Sequence, residues 1–373
     1  MTKRRLILLA IIALAVMMCV PAGAGQAPKN IILMIGDGMG FGQVTLARLS
    51  LDESSAPLSM DSMRYTAFVK THSADATVTD SAAAASACAT GFKTNNGMIS
   101  TLPDGTPADT ILEIAKILGK STGLVTTTAI THATPAAFGG HVKSRKSEAD
   151  IAGQLLANRI DVLLGGGRMF FVPKSQEQSK REDERDLLAE AKSFGYAVVD
   201  SRDGMLSVKG TKLLGLFEMG ALSISSAQPS LAEMTARGIE ILSKDDEGFF
   251  LMVEGGQIDW ACHRSDGPGT VKQMFDFDAA IGKALDFARK HADTLVVVTG
   301  DHETGALAIV YPDKDSNARF KINWGTTGHS GTNLPLFADG PGAYLFTGVL
   351  DNTDVPKKFA ELWGIKGFGS SPK

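Results

Sequence analysis

Tyrosine and tryptophan are scarce in this 373-residue chain, with four and three copies, and there are only three cysteines. Basic residues (37 Lys and Arg) are outnumbered by acidic ones (41 Asp and Glu), which excludes a basic protein that coats nucleic acid. No fixed sequence period is present, which excludes collagen-like and solenoid architectures. Past residue 20 no apolar run approaches the roughly 20 residues that span a bilayer. What the chain does have is 44% hydrophobic and 21% charged residues, the proportions of a large soluble globular core rather than of a disordered chain. It also has 40 glycines, and with so few large aromatics beside them these predict many tight turns and close backbone crossings.

The N-terminus predicts the compartment. Lys3, Arg4 and Arg5 precede an apolar stretch from Leu6 to Val20, and Pro21 leads into Ala22-Gly23-Ala24, the small residues of an A-x-A cleavage site. Residues 1–24 read as a secretory signal peptide cleaved after Ala24, because 15 apolar residues fall short of a membrane span. Cys19 follows Met17-Met18 rather than the small residue expected before a lipid-attachment cysteine. The expected product is periplasmic or secreted, without a membrane anchor. It is more acidic than the whole chain, since the leader takes three positive charges and no negative one with it. Cys88 and Cys262 then remain; they carry no spacing signature and read as free and buried.

Residues 25–373 read as a single catalytic domain, with no Pro-, Gly- or Ser-rich linker to divide them. Apolar runs recur at Asn30–Ile35, Gly123–Thr128, Val162–Leu164, Gly248–Val253 and Thr294–Thr299, and three of the five lead into acidic residues. Between them lie helical patterns over Ala82–Ala89, Thr110–Leu118, Ser147–Arg159, Glu182–Ser193, Ser230–Leu242 and Val271–His291. This alternation predicts an α/β fold, a mostly parallel central sheet with helices on both faces. The charge run Ser175–Asp186 reads as the solvated start of a helix.

Chemistry concentrates at the ends of those strands, where open α/β sheets place ligands. Asp37 closes the first run, Glu254 the fourth, and Asp301-His302 follow the fifth. Asp259 and His263 stand four apart, a spacing that puts both on one face of a helix and lets them share a metal ion. His329 sits in Gly328-His329-Ser330-Gly331. Singly, each histidine is as readily a core or surface residue. Together with Asp37 and Glu254 they supply nitrogen and hard oxygen ligands for more than one divalent ion, and a multi-metal hydrolytic site is the economical reading. Ser81, in Thr79-Asp80-Ser81 before an alanine-rich run, falls in the first turn of a helix, where free N–H groups favour an anion; it is either a helix cap or a metal-activated nucleophile. No G-x-S-x-G elbow is present to support an ordinary esterase.

The ordered set Ile35-Gly36-Asp37-Gly38, Val78–Ala83, His132–Ala136 running to Arg145, Leu164–Gly167, Val253–Asp259, Asp301-His302 and Thr327–Gly331 resembles that of the alkaline phosphatases over nearly the whole chain after the leader. The resemblance implies phosphate monoesters as substrates, hydrolysed through a phosphoserine at Ser81. It implies one zinc held by Asp259, His263 and His329, and a second by Asp37, Asp301 and His302. A magnesium would share Asp37 and be completed by Thr134 and Glu254. Two such zinc ions suit an in-line displacement. Arg145 would grip two phosphate oxygens. Asp80, His132 and Trp260 would bind substrate or tune the site. His132 and Trp260 depart from the best-known bacterial pattern, which has Asp and Lys there; losing the lysine removes a cation near the phosphate and the third metal.

Only 26 residues separate His302 from His329, so the large crown insertion of animal members is expected to be missing. A homodimer is the family expectation. Among rivals, a sulfatase needs a C-x-P-x-R cysteine that neither Cys88 nor Cys262 provides, and phosphodiesterases usually lack the Arg145 contact. A non-catalytic exported metal- or phosphate-binding protein would need no nucleophile at a helix start.

Overall fold

Apolar runs without polar alternation become strands buried on both faces. A computed structural model of the protein describes residues 27–52, 55–223, 227–312, 314 and 318–370. The expected signal peptide lies outside them. The strands in chain order begin with β1 (Asn30–Gly36), β2 (Tyr65–Lys70), β3 (Ser121–Ala129), β4 (Val162–Gly166) and β5 (Ala197–Val199). They continue with β6 (Leu213–Leu216), β7 (Phe249–Gly255), β8 (Thr294–Gly300), β9 (Glu303–Thr304) and β10 (Leu307–Val310). The last are β11 (Lys321–Trp324), β12 (His329–Ser330), β13 (Leu334–Asp339) and β14 (Gly348–Asp351).

Ten of them form one sheet in the order β14-β2-β13-β8-β1-β7-β3-β4-β6-β5. All its pairings are parallel except those that β13 makes with β2 and β8. Successive residues of β1 feed opposite cores. Ile31, Leu33 and Ile35 join Phe138, Phe250 and Phe359, whereas Ile32 and Met34 join Met274, Phe277 and Ile281. The first core receives the helix Ser81–Thr90 and the second the 24-residue helix Gly267–Lys290. The α/β architecture with a mostly parallel central sheet is as expected. Residues 303–328 hold the β10–β11 hairpin, not a large crown. Cys88 and Cys262 are free and buried, and burial pushes both thiols up to about 12.

The helix expected over Glu182–Ser193 starts only at Leu187, capped by Asp186. The preceding charge run is not helical, because Arg181 is buried rather than solvated. Its guanidinium pairs with Asp183 and donates to the carbonyls of Ala149 and Phe170. Among the described residues no helix is long and apolar enough to cross a membrane.

Candidate active site

Parallel register brings the acidic strand ends to one level. Gly36 of β1 lies beside Gly255 of β7 on one side and Gly300 of β8 on the other, so Asp37, Glu254 and Asp301 converge. Gly38 turns the chain after Asp37 with φ of 76°, and a Cβ there would stand 2.8 Å from the Asp259 Cα. Only glycine lets the short helix Gln257–His263 approach this loop so closely.

Three groups of side chains in this region each present ligand atoms within 4.8 Å of one another: Asp37 with Asp301 and His302; Asp259 with His302 and His329; and Asp37 with His132 and Glu254. The first is the set implied for the second zinc. The other two bring His302 beside Asp259 and His329, and His132 beside Asp37 and Glu254. His263 is adjacent, its Nε2 3.2 Å from Asp259 Oδ2 and its ring 5.1 Å from that of His329. Thr134 begins the turn after His132, in the helix Ala133–Ala136.

The three imidazoles share one design. His329 Nδ1 donates to the Thr79 carbonyl, His263 Nδ1 to the Thr327 carbonyl, and His302 Nδ1 to the Thr304 hydroxyl, which in turn donates to Asp259. Each Nε2 therefore faces the cluster, and in the neutral ring it is this nitrogen that carries the lone pair a metal requires.

Six of the eleven buried side-chain polar atoms without a partner among the described residues lie here: both oxygens of Asp37, Asp301 Oδ2, Glu254 Oε1, His132 Nδ1 and Thr134 Oγ1. Burial, reinforced by the Asp301, Asp259 and Glu254 carboxylates, raises Asp37 well above its ordinary pKa. Burial foremost raises Asp301 to about 8. Burial and the neighbouring His329 hold His302 well below the usual imidazole value. Burial also pushes Asp259 up, but the hydrogen bonds from His263 and from the Thr304 hydroxyl outweigh it and the carboxyl is lowered. Glu254 behaves likewise: the His132 imidazole and Thr126 hydroxyl outweigh its burial. Crowded acids with unused oxygens, facing imidazoles, fit divalent cations.

Ser81 opens the helix Ser81–Thr90, 3% exposed, its Oγ 3.1 Å from His302 Nε2. The cap is Asp80, whose Oδ1 accepts from the Ala83 N–H at 3.0 Å, so the Ser81 hydroxyl is free of capping. The other Asp80 oxygen accepts from Arg145 Nη1 at 3.1 Å and from the Gly97 N–H at 3.0 Å. Arg145 Nη2 donates to His132 Nε2 at 3.1 Å, and the Trp260 ring meets His132 edge-on at 6.2 Å. Twelve of the thirteen residues singled out in the sequence thus lie in one continuous set of contacts, and Thr134 lies two residues on from His132. Sequence reading missed the supports: Thr126 and Thr128 on Glu254, Thr304 on Asp259, and Glu303. The alternation of Thr126 and Thr128 at the end of β3, which points both hydroxyls to one face, was the available signal.

The profile of the alkaline phosphatase family matches residues 28–315. The chain is 37% identical to alkaline phosphatase 3 of Bacillus subtilis over 88% of its own length and 87% of the relative's. Its fold superposes on the alkaline phosphatase of the Antarctic bacterium TAB5 with a TM-score of 0.84 at 34% identity, covering 90% of this chain and 98% of that one. A histidine-to-aspartate variant of that enzyme, with Mg bound in its M3 site, matches at 0.82 and 33% identity over 91% and 99% of the two chains. Motif order, sheet topology and a cluster built to take metal all have one explanation: the chain belongs to the alkaline phosphatase family of metal-dependent phosphate monoester hydrolases.

Proposed function

We propose that the protein hydrolyses phosphate monoesters through a phosphoserine at Ser81, in an exported single-domain enzyme that uses two zinc ions and one magnesium. The observation that carries this reading is the uncapped Ser81 hydroxyl, buried at a helix start and set against the unpaired acids and imidazoles. Asp259, His263 and His329 would hold one zinc, Asp37, Asp301 and His302 the other, and Asp37, Thr134 and Glu254 the magnesium, with His132 beside it. When bound, such ions lower the pKa of a nearby hydroxyl and neutralise a departing alkoxide.

The chain's own residues do the rest. The free N–H groups at the start of the Ser81 helix and the Arg145 fork receive the phosphoryl oxygens. Ser81 Oγ forms a bond to phosphorus as the ester P–O bond opposite breaks, releasing the alcohol. Water then attacks phosphorus from the vacated side, and Ser81 leaves as inorganic phosphate forms. Asp80 holds Arg145 at the angle this needs. The leader, residues 1–24, supports a periplasmic or secreted location, and the ten-stranded sheet supports one catalytic domain.

A terminal phosphate offers Arg145 two free oxygens with dianionic charge, whereas a diester offers less. Arg145→Ala is expected to lower kcat/KM for an aryl phosphate monoester on the order of 10²–10³-fold and for the matching diester far less. Equal losses on both substrates would remove Arg145 from phosphate recognition.

Trp260 provides one donor and no charge against His132. Trp260→Lys should tighten inorganic phosphate inhibition about five-fold, the worth of a ~1 kcal/mol charge-assisted contact, and weaken the magnesium response. Unchanged inhibition and magnesium response alongside a lowered melting temperature would show that Trp260 only packs.

A further inference from the structure

Glu303 follows His302 and is 3% exposed, and four donors converge on its carboxylate. Oε1 accepts from Gln43 Nε2 at 2.9 Å and the Leu307 N–H at 3.1 Å. Oε2 accepts from the Ala306 N–H at 3.1 Å and from the Ser330 hydroxyl. These partners belong to separate segments that carry candidate ligands. Gln43 is tied back to the loop after Asp37, since its Oε1 accepts from the Gly40 N–H at 3.0 Å. That loop packs on Glu303 itself: a Cβ on Gly40 would stand 2.3 Å from Glu303 Cγ. Ser330 follows His329, and β9 and β12 pair Glu303 with Ser330 and Thr304 with His329. The two backbone donors close a turn in which Gly305 and Ala306 take φ of 96° and 45°, so the carboxylate also holds the strained turn beyond Asp301-His302.

From this convergence we infer that Glu303 is a positioning residue that ties together the Asp37, Asp301-His302 and His329 loops, so that the two zinc sites proposed above form as a unit. The inference rests on that metal assignment. Glutamine cannot replace the carboxylate. With its amide nitrogen at the Oε1 position it would face Gln43 Nε2 and the Leu307 N–H, and at the Oε2 position the Ala306 N–H, so at least one buried donor is left against another donor.

The test is zinc uptake by metal-stripped full-length protein in competition with a chromophoric chelator, for wild type, Glu303→Gln and Ser330→Ala. Glu303→Gln is expected to weaken both zinc equivalents together, on the order of 10- to 100-fold, as the loss of groups that orient metal ligands does. Ser330→Ala removes one donor from a half-buried strand and keeps the rest, so it should fold even if Glu303→Gln does not. It is expected to weaken both equivalents by a smaller factor, with urea unfolding of the metal-free protein unchanged. Affinities within about two-fold of wild type in the variants that fold, or a loss confined to one equivalent, would overturn the role of Glu303. Wild-type protein that takes up no zinc would overturn the metal assignment and this inference with it.

Discussion

Ser81→Ala is expected to form no phosphoenzyme and to lose turnover of phosphate monoesters by about 10⁴-fold or more, the scale on which removing a nucleophile acts. The substitution deletes one oxygen from a position where nothing else can replace it. Asp80 still caps the helix through the Ala83 N–H and still holds Arg145, and every candidate metal ligand stays in place. The loss is therefore one of chemistry and not of fold, and the melting temperature should hold. Rapid-quench labelling with an aryl monoester carrying labelled phosphate checks it. Label retained on the variant at the wild-type level would remove Ser81 from the nucleophile's role. A small residual hydrolysis by water is compatible with the assignment, because the phosphate-binding groups survive.

Stripping the metals should abolish activity, with zinc restoring it better than calcium, because three imidazoles among the ligands favour a borderline ion over a hard one. Full activity in a preparation shown to be free of zinc would reject the zinc assignment. Stability should follow as well, since a ligand at 1,000 times its dissociation constant contributes about 4 kcal/mol.

The metal-free protein should also acquire a pH dependence. Asp301 is raised to about 8 and His263 to about 9, the latter by its hydrogen bond to Asp259, so the folded state holds protons that the unfolded state has released. Asp301 loses its share of stability between 3.8 and about 8 and His263 between 6.5 and about 9, so stability falls throughout the interval from about 6.5 to about 9. His302, held below 6.5, acts in the opposite sense only under that value. Melting of the metal-free protein should fall across this interval while that of the zinc-loaded protein stays nearly flat. Parallel curves for the two forms would mean that the crowded acids are not what the metals neutralise.

The residues that could be read in order were those whose signal is local. An apolar run ending at Asp37, a second ending at Glu254 and a third at Asp301-His302 identify buried strands and their ligand-bearing ends, because burial on both faces leaves no polar alternation. The four-residue spacing of Asp259 and His263 needs only a helical turn, and one is present. Motif order along the chain was enough to indicate the family.

What the sequence could not show depends on segments far apart in the chain. β13 carries Pro335, which argues against an interior strand, yet it pairs with both β2 and β8. Arg181 lies in a run of charges that reads as solvated, and only packing against Ala149 and Phe170 buries it. Whether Ser81 caps its helix or is free of that work turned on one Asp80 oxygen. The grouping of His302 with Asp259, and the convergence of three loops on Glu303, arise from the register of β1, β7 and β8 and from the β9–β12 pairing. Periodicity is set by neighbours along the chain and survives in the sequence. A metal site is set by distances between residues up to about 300 positions apart, and those exist only once the sheet has assembled.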